Sequence, residues 1–405
     1  MFYNNVFKTH HLPLTSRNKI VFLITLFLCF LQLGIDIYLP SMPAMQNYFH
    51  TSAAAVQNTL TLYLIGFGSI QLFAAIFADY IGRRPILLCG LSLYFVASLG
   101  CVMTNDITVL LICRLLQGFA AGMAQTAYRA ALRDIVTDNK KIAKIFSHLA
   151  TCWAVVPIVA PLLGGYIQDY FNWRMNFIVL FALSAIILLL AWKLFPETQQ
   201  ETDRSSPRQA WQDYMSILAN KGFFSLAIVC ALSAATLMAY TTASPFLLQV
   251  QLHVTPIQFG WAAFAVAGGI LIGSFLNRQL VYQLGTKKLL IVACALGLIS
   301  TFAFFILSYQ GVFTVTAIII PIWILAFSKG ISFPNFFANA ISSIKKDFAK
   351  ANAVIGTLQQ MAMGITAAFI AELHEQTALP LAWLLLSLMV IITIIFIWQR
   401  KNIQS

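Results

Sequence analysis

Three ionisable residues lie deep inside apolar stretches of the chain, where a charged side chain is not needed for contact with water. They are Asp36, Arg114 and Lys329, and Arg129 stands near the end of its stretch. A charged side chain in hydrocarbon costs on the order of 2.5 to 3.5 kcal/mol on insertion scales, so each needs a polar partner or water within the protein. An acid held in this way can take up and release a proton.

Asp36 is the residue that we predict to carry this proton. Counted along their helices, Asp36 and Arg114 reach similar depths. A cavity of low polarity favours the neutral acid and a cationic substrate favours the carboxylate, so proton and substrate would compete for one site. Arg114 would order nearby polar groups and sense the charge on Asp36. Two structural alternatives stay open: Asp36 fixes the corner at Pro40 and Pro43, and Arg114 is a hydrogen-bond hub that ties helices together.

Lys329 admits two interpretations. Its long side chain can extend to the membrane surface, where the ammonium group meets water. If it instead faces a central cavity together with Arg114 and Arg129, that cavity carries more positive than negative charge. It would then suit an anionic metabolite, such as a carboxylate siderophore.

The apolar stretches predict an all-α polytopic membrane protein. Hydrophobic residues make up 60% of the 405 residues and only 9% are charged, with a mean hydropathy of +0.82, which leaves too little polar surface for a water-soluble body. Twelve stretches are long enough, at about 1.5 Å per helical residue, to cross a hydrocarbon core of roughly 30 Å. They cover residues 20–43, 55–78, 86–104, 107–130, 145–168, 173–195, 223–250, 257–281, 287–308, 313–340, 351–373 and 380–398.

Basic residues occupy every second connection between these stretches. Examples are Arg83 and Arg84, Lys287 and Lys288, and Lys345 and Lys346. The intervening connections hold only Arg174, so the positive-inside rule predicts a multi-pass protein with both termini in the cytoplasm. The net charge of +12 is not gathered on one face or interleaved with aromatic residues, which argues against nucleic acid as a partner.

The chain divides into two halves. We predict an N-terminal six-helix bundle over 1–195, a cytoplasmic linker over 196–222 and a C-terminal six-helix bundle over 223–405, related by pseudo-symmetry. Gly82 and Gly285 follow the second and eighth stretches and are 203 residues apart, and the same offset relates Lys19 to Gly222. With this offset Lys329 matches Thr126. Repeated halves around a site near the bilayer midplane are the general plan of secondary transporters.

Three motifs resemble those of the major facilitator superfamily. DYIGRRP over 79–85 is similar to its signature between the second and third helices. Arg114-Leu-Leu-Gln117-Gly118 resembles its intramembrane arginine motif, and Ala160-Pro161-Leu-Leu-Gly164-Gly165 resembles its antiporter motif. The chain departs from the family pattern at Ala75 and Ala160, where glycine is typical, and at Tyr80, where arginine is usual.

The first and third motifs contain the residues predicted to gate transport. Gly82 permits a tight turn, Asp79 would accept hydrogen bonds from amides at a helix N-terminus, and Arg83 and Arg84 would pair with carboxylates. Together they would hold the cytoplasmic gate shut. A bending point in the fifth helix is predicted at Pro157, Pro161, Gly164 and Gly165. A solvated basic turn and plain helix packing are the structural alternatives.

Four phrases resemble the Bcr/CflA branch of drug:proton antiporters within this superfamily. They are IDIYLPSMP over 35–43, YRAALRD over 128–134, SPFLLQ over 244–249 and FLNRQLVYQLG over 275–285. The resemblance implies proton-coupled efflux of drug-like or other small organic molecules across the bacterial inner membrane, and hence multidrug resistance. The proton gradient would supply the driving force, without a cofactor. Transport of an anionic metabolite such as a siderophore stays as the alternative.

Aromatic and amide side chains are predicted to line the substrate pocket, with ordinary helix packing as the structural alternative for each of them. With Lys329, they are Tyr63, Phe67, Gln117, Gln125, Tyr240, Phe246, Asn335 and Gln359. Scattered histidines and the absence of HExxH or Walker motifs predict neither an enzyme nor a metal site. No filter-like repeat suggests a channel. We expect a monomer in the lipid bilayer whose partner is a small-molecule substrate.

Overall fold

The computed structural model describes residues 14–135, 139–199, 206–344, 348–373 and 377–399. Within these ranges the side chains of 14–18, 133, 139–148, 150–154 and 349 are not described. Lys345 and Lys346, two of the basic residues on which the predicted orientation depends, lie outside the described residues.

The described part of the chain folds into helices and short connections, without strands. The first half contains α1 (Leu14–Asp36), a 3-10 turn (Leu39–Ser41), α2 (Met42–Phe49), α3 (Ala53–Ile81), α4 (Arg83–Met103), α5 (Ile107–Ile135), α6 (Asn139–Tyr170) and α7 (Trp173–Leu194). Helix α8 (Pro207–Ala219) follows. The second half contains α9 (Lys221–Pro245), a π-helical turn (Phe246–Gln251), α10 (Pro256–Tyr309), α11 (Val315–Ser342), α12 (Phe348–Glu372) and α13 (Leu379–Gln399).

Twelve membrane crossings account for all of these helices except α8, which has only 13 residues, and the sequence predicts the same number of crossings. Ten apolar helical stretches of the described residues are long enough to span a bilayer. One of them, α10, is two helices joined at Gly285, whose φ of 75° lies in the left-handed region that favours glycine. Helix α6, with 32 residues, provides the remaining crossing. The predicted all-α fold is confirmed.

The two halves repeat one packing arrangement, with an offset that changes along the chain. A Cβ atom on Gly66 would lie 2.6 Å from the carbonyl oxygen of Leu115, and one on Gly269 would lie 2.9 Å from that of Trp323. Helix α3 therefore matches the first limb of α10 with the predicted offset of 203, but α5 matches α11 with an offset of 208. Lys329 consequently corresponds to Ala121. The predicted match to Thr126 is wrong, because five additional residues lie between Gly285 and α11.

Small residues bring the halves into contact along two helix pairs. Between α3 and α12, a Cβ atom on Gly68 would lie 2.9 Å from the amide nitrogen of Met361. Between α6 and α10, a Cβ atom on Gly165 would lie 2.4 Å from the carbonyl oxygen of Pro256. Backbones approach this closely only where side chains are absent or small, so these glycines set the close contact between the halves.

The region predicted as a linker contains α8, which contacts both halves. The hydroxyl oxygen of Ser206 caps α8 by accepting from the amide of Gln209 at 3.3 Å. Trp211 stacks on Phe73 of α3 with ring centroids 6.5 Å apart. Asp213 forms an ion pair with Lys350 of α12, and the Lys350 ammonium lowers the pKa of this carboxyl. Residues 79–85 and α8 lie at the same end of the bundle, which we call the motif face.

Substituting Gly330 tests the repeated packing. A Cβ atom at this position would lie 2.3 Å from the carbonyl oxygen of Ile270, so Gly330→Ala must push α11 away from α10. We expect a loss of about 1–3 kcal/mol, the usual cost of overpacking, measured by thermal unfolding in detergent. Gly268→Ala is the matched control, since its Cβ would meet no atom within 4 Å. Equal stability of the two variants would contradict the packing described here.

Candidate functional site

Arg114 is fully buried at the centre of the first bundle, where its guanidinium group hydrogen-bonds to three helices. Its Nη1 donates to Oε1 of Gln117 at 2.8 Å. Its Nη2 donates to the carbonyl oxygen of Gly34 at 3.1 Å, and its Nε donates to that of Thr59 at 3.4 Å. These contacts join α1, α3 and α5. They support the structural alternative, in which Arg114 is a hydrogen-bond hub.

Aromatic rings complete the surroundings of this guanidinium. The rings of Tyr38 and Tyr63 lie with their centroids 4.5 and 4.4 Å from its central carbon, close enough for cation–π attraction. Tyr63 also donates from its hydroxyl to the carbonyl oxygen of Leu31 at 3.1 Å and meets Phe67 edge to face. The positive charge is thus stabilised by carbonyls and rings, and no ion pair with Asp36 occurs among the described residues.

Asp36 is the last residue of α1 and is 6% exposed. Its Oδ2 accepts a hydrogen bond from Nε2 of Gln32, one turn earlier, at 2.8 Å. The ion pairs of the described residues involve Arg83 and Lys350 and leave this carboxyl without a cation within 4 Å. The side chain therefore faces the protein interior rather than water or lipid.

The turn that follows Asp36 packs against the predicted bending point of α6. A Cβ atom on Gly164 would lie 1.7 Å from the carbonyl oxygen of Ile37, so only glycine fits there. The next residue, Gly165, faces Pro256 of the second half, and the carbonyl oxygen of Pro161 lies 3.0 Å from the Cβ position of Gly260. The described part of α6, which includes Pro157 and Pro161, therefore lies between the Asp36 turn and α10.

Lys329 lies inside the second bundle rather than at the membrane surface. It is 3% exposed, and its Nζ lies 3.1 Å from the Sδ atom of Met389 on α13. A thioether is a weak acceptor, and no carboxylate pairs with this ammonium group among the described residues. The interpretation in which Lys329 extends to the membrane surface is wrong, because α13 and α10 enclose its side chain.

The motif face carries an ion-pair cluster centred on Arg83. Its Nη1 lies 2.6 Å from Oδ1 of Asp79, and its Nε donates to Oδ2 of Asp134 at 3.2 Å. The predicted pairing of Arg83 with carboxylates is therefore present. Arg84 differs from the prediction: its Nη2 donates to the backbone carbonyl of Trp192 at 2.8 Å, near the last turn of α7.

Glu197, and not Asp79, caps the helix that follows the motif. Its two carboxylate oxygens accept from the backbone amides of Arg83 and Arg84 at 2.9 and 3.1 Å. A carboxylate at a helix N-terminus is favoured by the unpaired amides and by the helix dipole. Gly82 has a φ of 128°, and a Cβ atom there would lie 2.4 Å from Oε2 of Glu197. Asp79 instead binds the side chain of Arg83.

A cavity of about 180 Å³ opens next to this cluster, between the two halves. Its lining comes from α3, the first residue of α4, α5, α8 and α12. The lining residues are Gln71, Ala75, Asp79, Arg83, Gln125, Thr126, Arg129, Ala130, Asp134, Tyr214, Lys350, Asn352 and Ala353. A second cavity, of about 400 Å³, lies at the opposite face near Pro40 and Pro256. Asp36 lines neither of these two cavities.

Of the predicted pocket residues, only Gln125 lines the cavity at the motif face. Tyr63, Phe67 and Gln117 pack inside the first bundle, where Gln117 also donates to Ser98 at 2.9 Å. In the second bundle Tyr240 and Phe246 are buried, and Asn335 donates to Oδ1 of Asn277 at 2.7 Å. Gln359 is half-buried on α12 and is not a lining residue. These side chains mostly serve helix packing in this conformation.

Several residues that sequence reasoning did not select contribute to the site. Gln71 could have been found as an amide within an apolar stretch, and Asp134 belongs to the YRAALRD phrase. Glu197 gave no local signal, because its partners precede it by 113 and 114 residues. Long-range partners of this kind cannot be paired from one sequence.

Removing the Glu197 carboxylate tests its capping role. We expect Glu197→Ala to lower stability by about 0.5–2 kcal/mol, the range measured for lost helix caps, and to speed hydrogen exchange at the amides of Arg83 and Arg84. Glu372→Ala is the control, since Glu372 is exposed at the end of α12. Unchanged exchange in Glu197→Ala would show that these amides do not depend on the carboxylate.

Known proteins resemble the chain over most of its length. The family model described as Major Facilitator Superfamily matches residues 22–371. The bicyclomycin resistance protein homolog of Haemophilus influenzae is 24% identical over 96% of this chain and 99% of its own. Multidrug resistance protein D of Escherichia coli is 25% identical over 92% of this chain and 94% of its own. The resemblance to Bcr/CflA-type drug transporters is confirmed.

A chloramphenicol resistance protein of Acinetobacter baumannii is 24% identical over 77% of this chain and 75% of its own. Among solved structures, that of the D-xylose-proton symporter matches with a TM-score of 0.75 and 15% identity, covering 94% of this chain and 97% of the symporter, which is a likeness of fold. The family match, the twelve crossings and the repeated halves agree. The chain belongs to the major facilitator superfamily of membrane transporters.

Proposed function

We propose that the chain exports drug-like or other small organic molecules across the bacterial inner membrane in exchange for protons. The relatives named for resistance to bicyclomycin, chloramphenicol and multiple drugs support export of such molecules. In this proposal both termini and the motif face are cytoplasmic, and the proton gradient drives transport without a cofactor. The chain works as a monomer.

The observation that carries proton coupling is the isolation of Asp36. An ionised carboxylate is costly here, because it is buried without a cation and stands at the C-terminal end of α1, where the helix dipole opposes negative charge. Gln32 alone donates to it among the described residues. Gain or loss of a proton therefore changes the free energy of this turn more than it would at a paired acid.

The route from Asp36 to the second half runs through α6. The carbonyl of Ile37 packs on Gly164, and Gly165 packs on Pro256 of α10. A change in the Asp36 turn is transmitted through these backbone contacts to the interface on which the halves rock. Because Asp36 lines neither described cavity, this conformational coupling replaces the direct competition between proton and substrate that the sequence suggested.

The cluster around Arg83 acts as the cytoplasmic latch in this proposal. Besides Glu197, the next two residues also hold the motif: Thr198 donates to Oδ2 of Asp134 at 3.0 Å, and Gln199 donates to the carbonyl of Asp79. The start of the linker is thereby fastened to the first half, while α8 pairs with Lys350 of the second half.

The alternative function, transport of an anionic metabolite such as a siderophore, depended on Lys329 and Arg114 in the cavity. Both are buried within their own bundles, so neither supports it. Arg129, the third basic residue that the sequence placed with Lys329 and Arg114, does line the cavity and favours an anionic cargo.

Replacing Asp36 tests the proposed coupling. In proteoliposomes with an internal pH dye, we expect chloramphenicol to cause proton movement with the unchanged protein and none above background with Asp36→Asn, which cannot ionise. Asp169→Asn, at an exposed aspartate of α6, should behave like the unchanged protein. Proton movement that persists in Asp36→Asn would contradict the role assigned to this acid.

A substitution at Gly165 tests the route between the halves. Its Cβ atom would lie 2.4 Å from the backbone of α10, so Gly165→Ala should keep α6 and α10 from making their close contact. Export of chloramphenicol, measured as uptake into everted vesicles, should therefore be slower. Gly268→Ala, in open space on α10, should retain efflux. Normal efflux by Gly165→Ala would show that the proposed close contact is not needed for the cycle.

A further inference from the structure

The cavity at the motif face has two ends with different chemistry. Its mouth contains Asp79, Arg83 and Asp134, already engaged with one another, together with Lys350. Its inner end contains Gln71, Gln125 and Arg129. Gln71 precedes Asp79 by eight residues on α3, which places the inner end roughly 12 Å deeper along the helix axis.

Arg129 is the cation at this inner end. The ion pairs of the described ranges join Arg83 to Asp79 and Asp134, and Lys350 to Asp213, and do not include Arg129. Its guanidinium group reaches across the cavity to the second half, because a Cβ atom on Gly356 of α12 would lie 3.4 Å from its Nη1. Arg83 and Lys350 at the mouth are thus paired with aspartates, and the positive excess lies at the inner end, where Arg129 is the charged lining residue.

Amide and hydroxyl groups from both halves surround this cation. Nε2 of Gln71 donates to Oε1 of Gln125 at 2.7 Å, and the hydroxyl of Thr357 donates to Oε1 of Gln71 at 3.3 Å. Both amide oxygens are thus already hydrogen-bonded. The groups with most remaining capacity are the N–H donors of Arg129 and of the amides.

A donor-rich site with a positive excess suits a carboxylate. The planar guanidinium group of arginine can bind both oxygens of a carboxylate in parallel, and such charge-assisted bonds are stronger than neutral ones. A neutral or cationic group would leave the Arg129 charge without a counter-ion. The volume of about 180 Å³ is smaller than the roughly 300–1,000 Å³ of drug-sized sites, so it fits a small acid.

We propose that Arg129, with Gln71 and Gln125, forms a subsite that binds the carboxylate of small, single-ring organic acids entering from the motif face, with Thr357 holding the Gln71 amide in place. Residues of α3 and α5 lie on one side and residues of α12 on the other, so a bound acid bridges the halves that must move. The inference rests on the proposed function only in taking the cavity as the route of small organic cargo.

Three ring compounds of similar shape test the subsite: benzoate, benzamide and benzylamine, which are anionic, neutral and cationic at pH 7. Binding to the purified full-length protein is measured by calorimetry in detergent. We expect benzoate to bind more tightly than the other two. Arg129→Gln should weaken benzoate by a factor on the order of 10 to 100, the range for one lost charge-assisted hydrogen bond, and bring it level with benzamide.

Two further variants separate the subsite from general effects of charge and folding. Arg278→Gln removes an exposed arginine of α10 and should leave the benzoate preference intact. Arg129→Lys keeps the charge but loses the planar fork and should weaken benzoate less than Arg129→Gln does. Thermal unfolding of each variant establishes that it is folded before binding is compared.

The comparison of the three compounds on the unchanged protein is decisive by itself. Benzoate binding no tighter than benzamide overturns the proposal, as does a benzoate preference that survives in folded Arg129→Gln. Because this measurement needs neither a proton gradient nor export, its failure would leave the Asp36 test standing. Failure of the Asp36 test would, in turn, leave the evidence for the subsite unchanged.

Discussion

The cost of a charge held away from water is the constraint on which this structure depends. Arg114 meets it with two backbone carbonyls, one amide oxygen and two aromatic rings. Arg83 meets it with two carboxylates. Asp36 has one amide donor, and Lys329 has one thioether sulfur, among the described residues. The well-partnered charges hold the bundles together, whereas poorly partnered ones are the groups whose ionisation can bias a conformational equilibrium.

The two repeated halves share their backbone packing but differ in their buried polar residues. Glycines at matched positions set equal helix spacing in both bundles, as Gly122 and Gly330 show. The buried cations do not match: Arg114 lies on α5 at a position that corresponds to Ile322, and Lys329 lies at one that corresponds to Ala121. Repetition therefore governs backbone packing, while each half has acquired its own polar interior. The Asp36 turn, α6 and α10 connect these interiors across the interface.

Much of the fold could be predicted because a bilayer imposes simple rules. Length and hydropathy determine crossings such as α13, and the glycine at 285 marks the boundary between the two limbs of α10. The site was less accessible to prediction. The capping by Glu197 and the Gln71–Gln125–Thr357 network join residues far apart in the chain. The sequence also does not determine whether a long side chain such as Lys329 extends toward the membrane surface or into the bundle. Only the packed helices decide between such orientations.

Whether Asp36 changes its protonation during transport can be observed directly by infrared difference spectroscopy. Adding chloramphenicol to reconstituted protein should remove the carbonyl stretching band of one protonated carboxyl group, and this change should be absent from the Asp36→Asn protein. A difference spectrum without a carboxyl band, or the same band in Asp36→Asn, would contradict the assignment of this residue as the coupling acid.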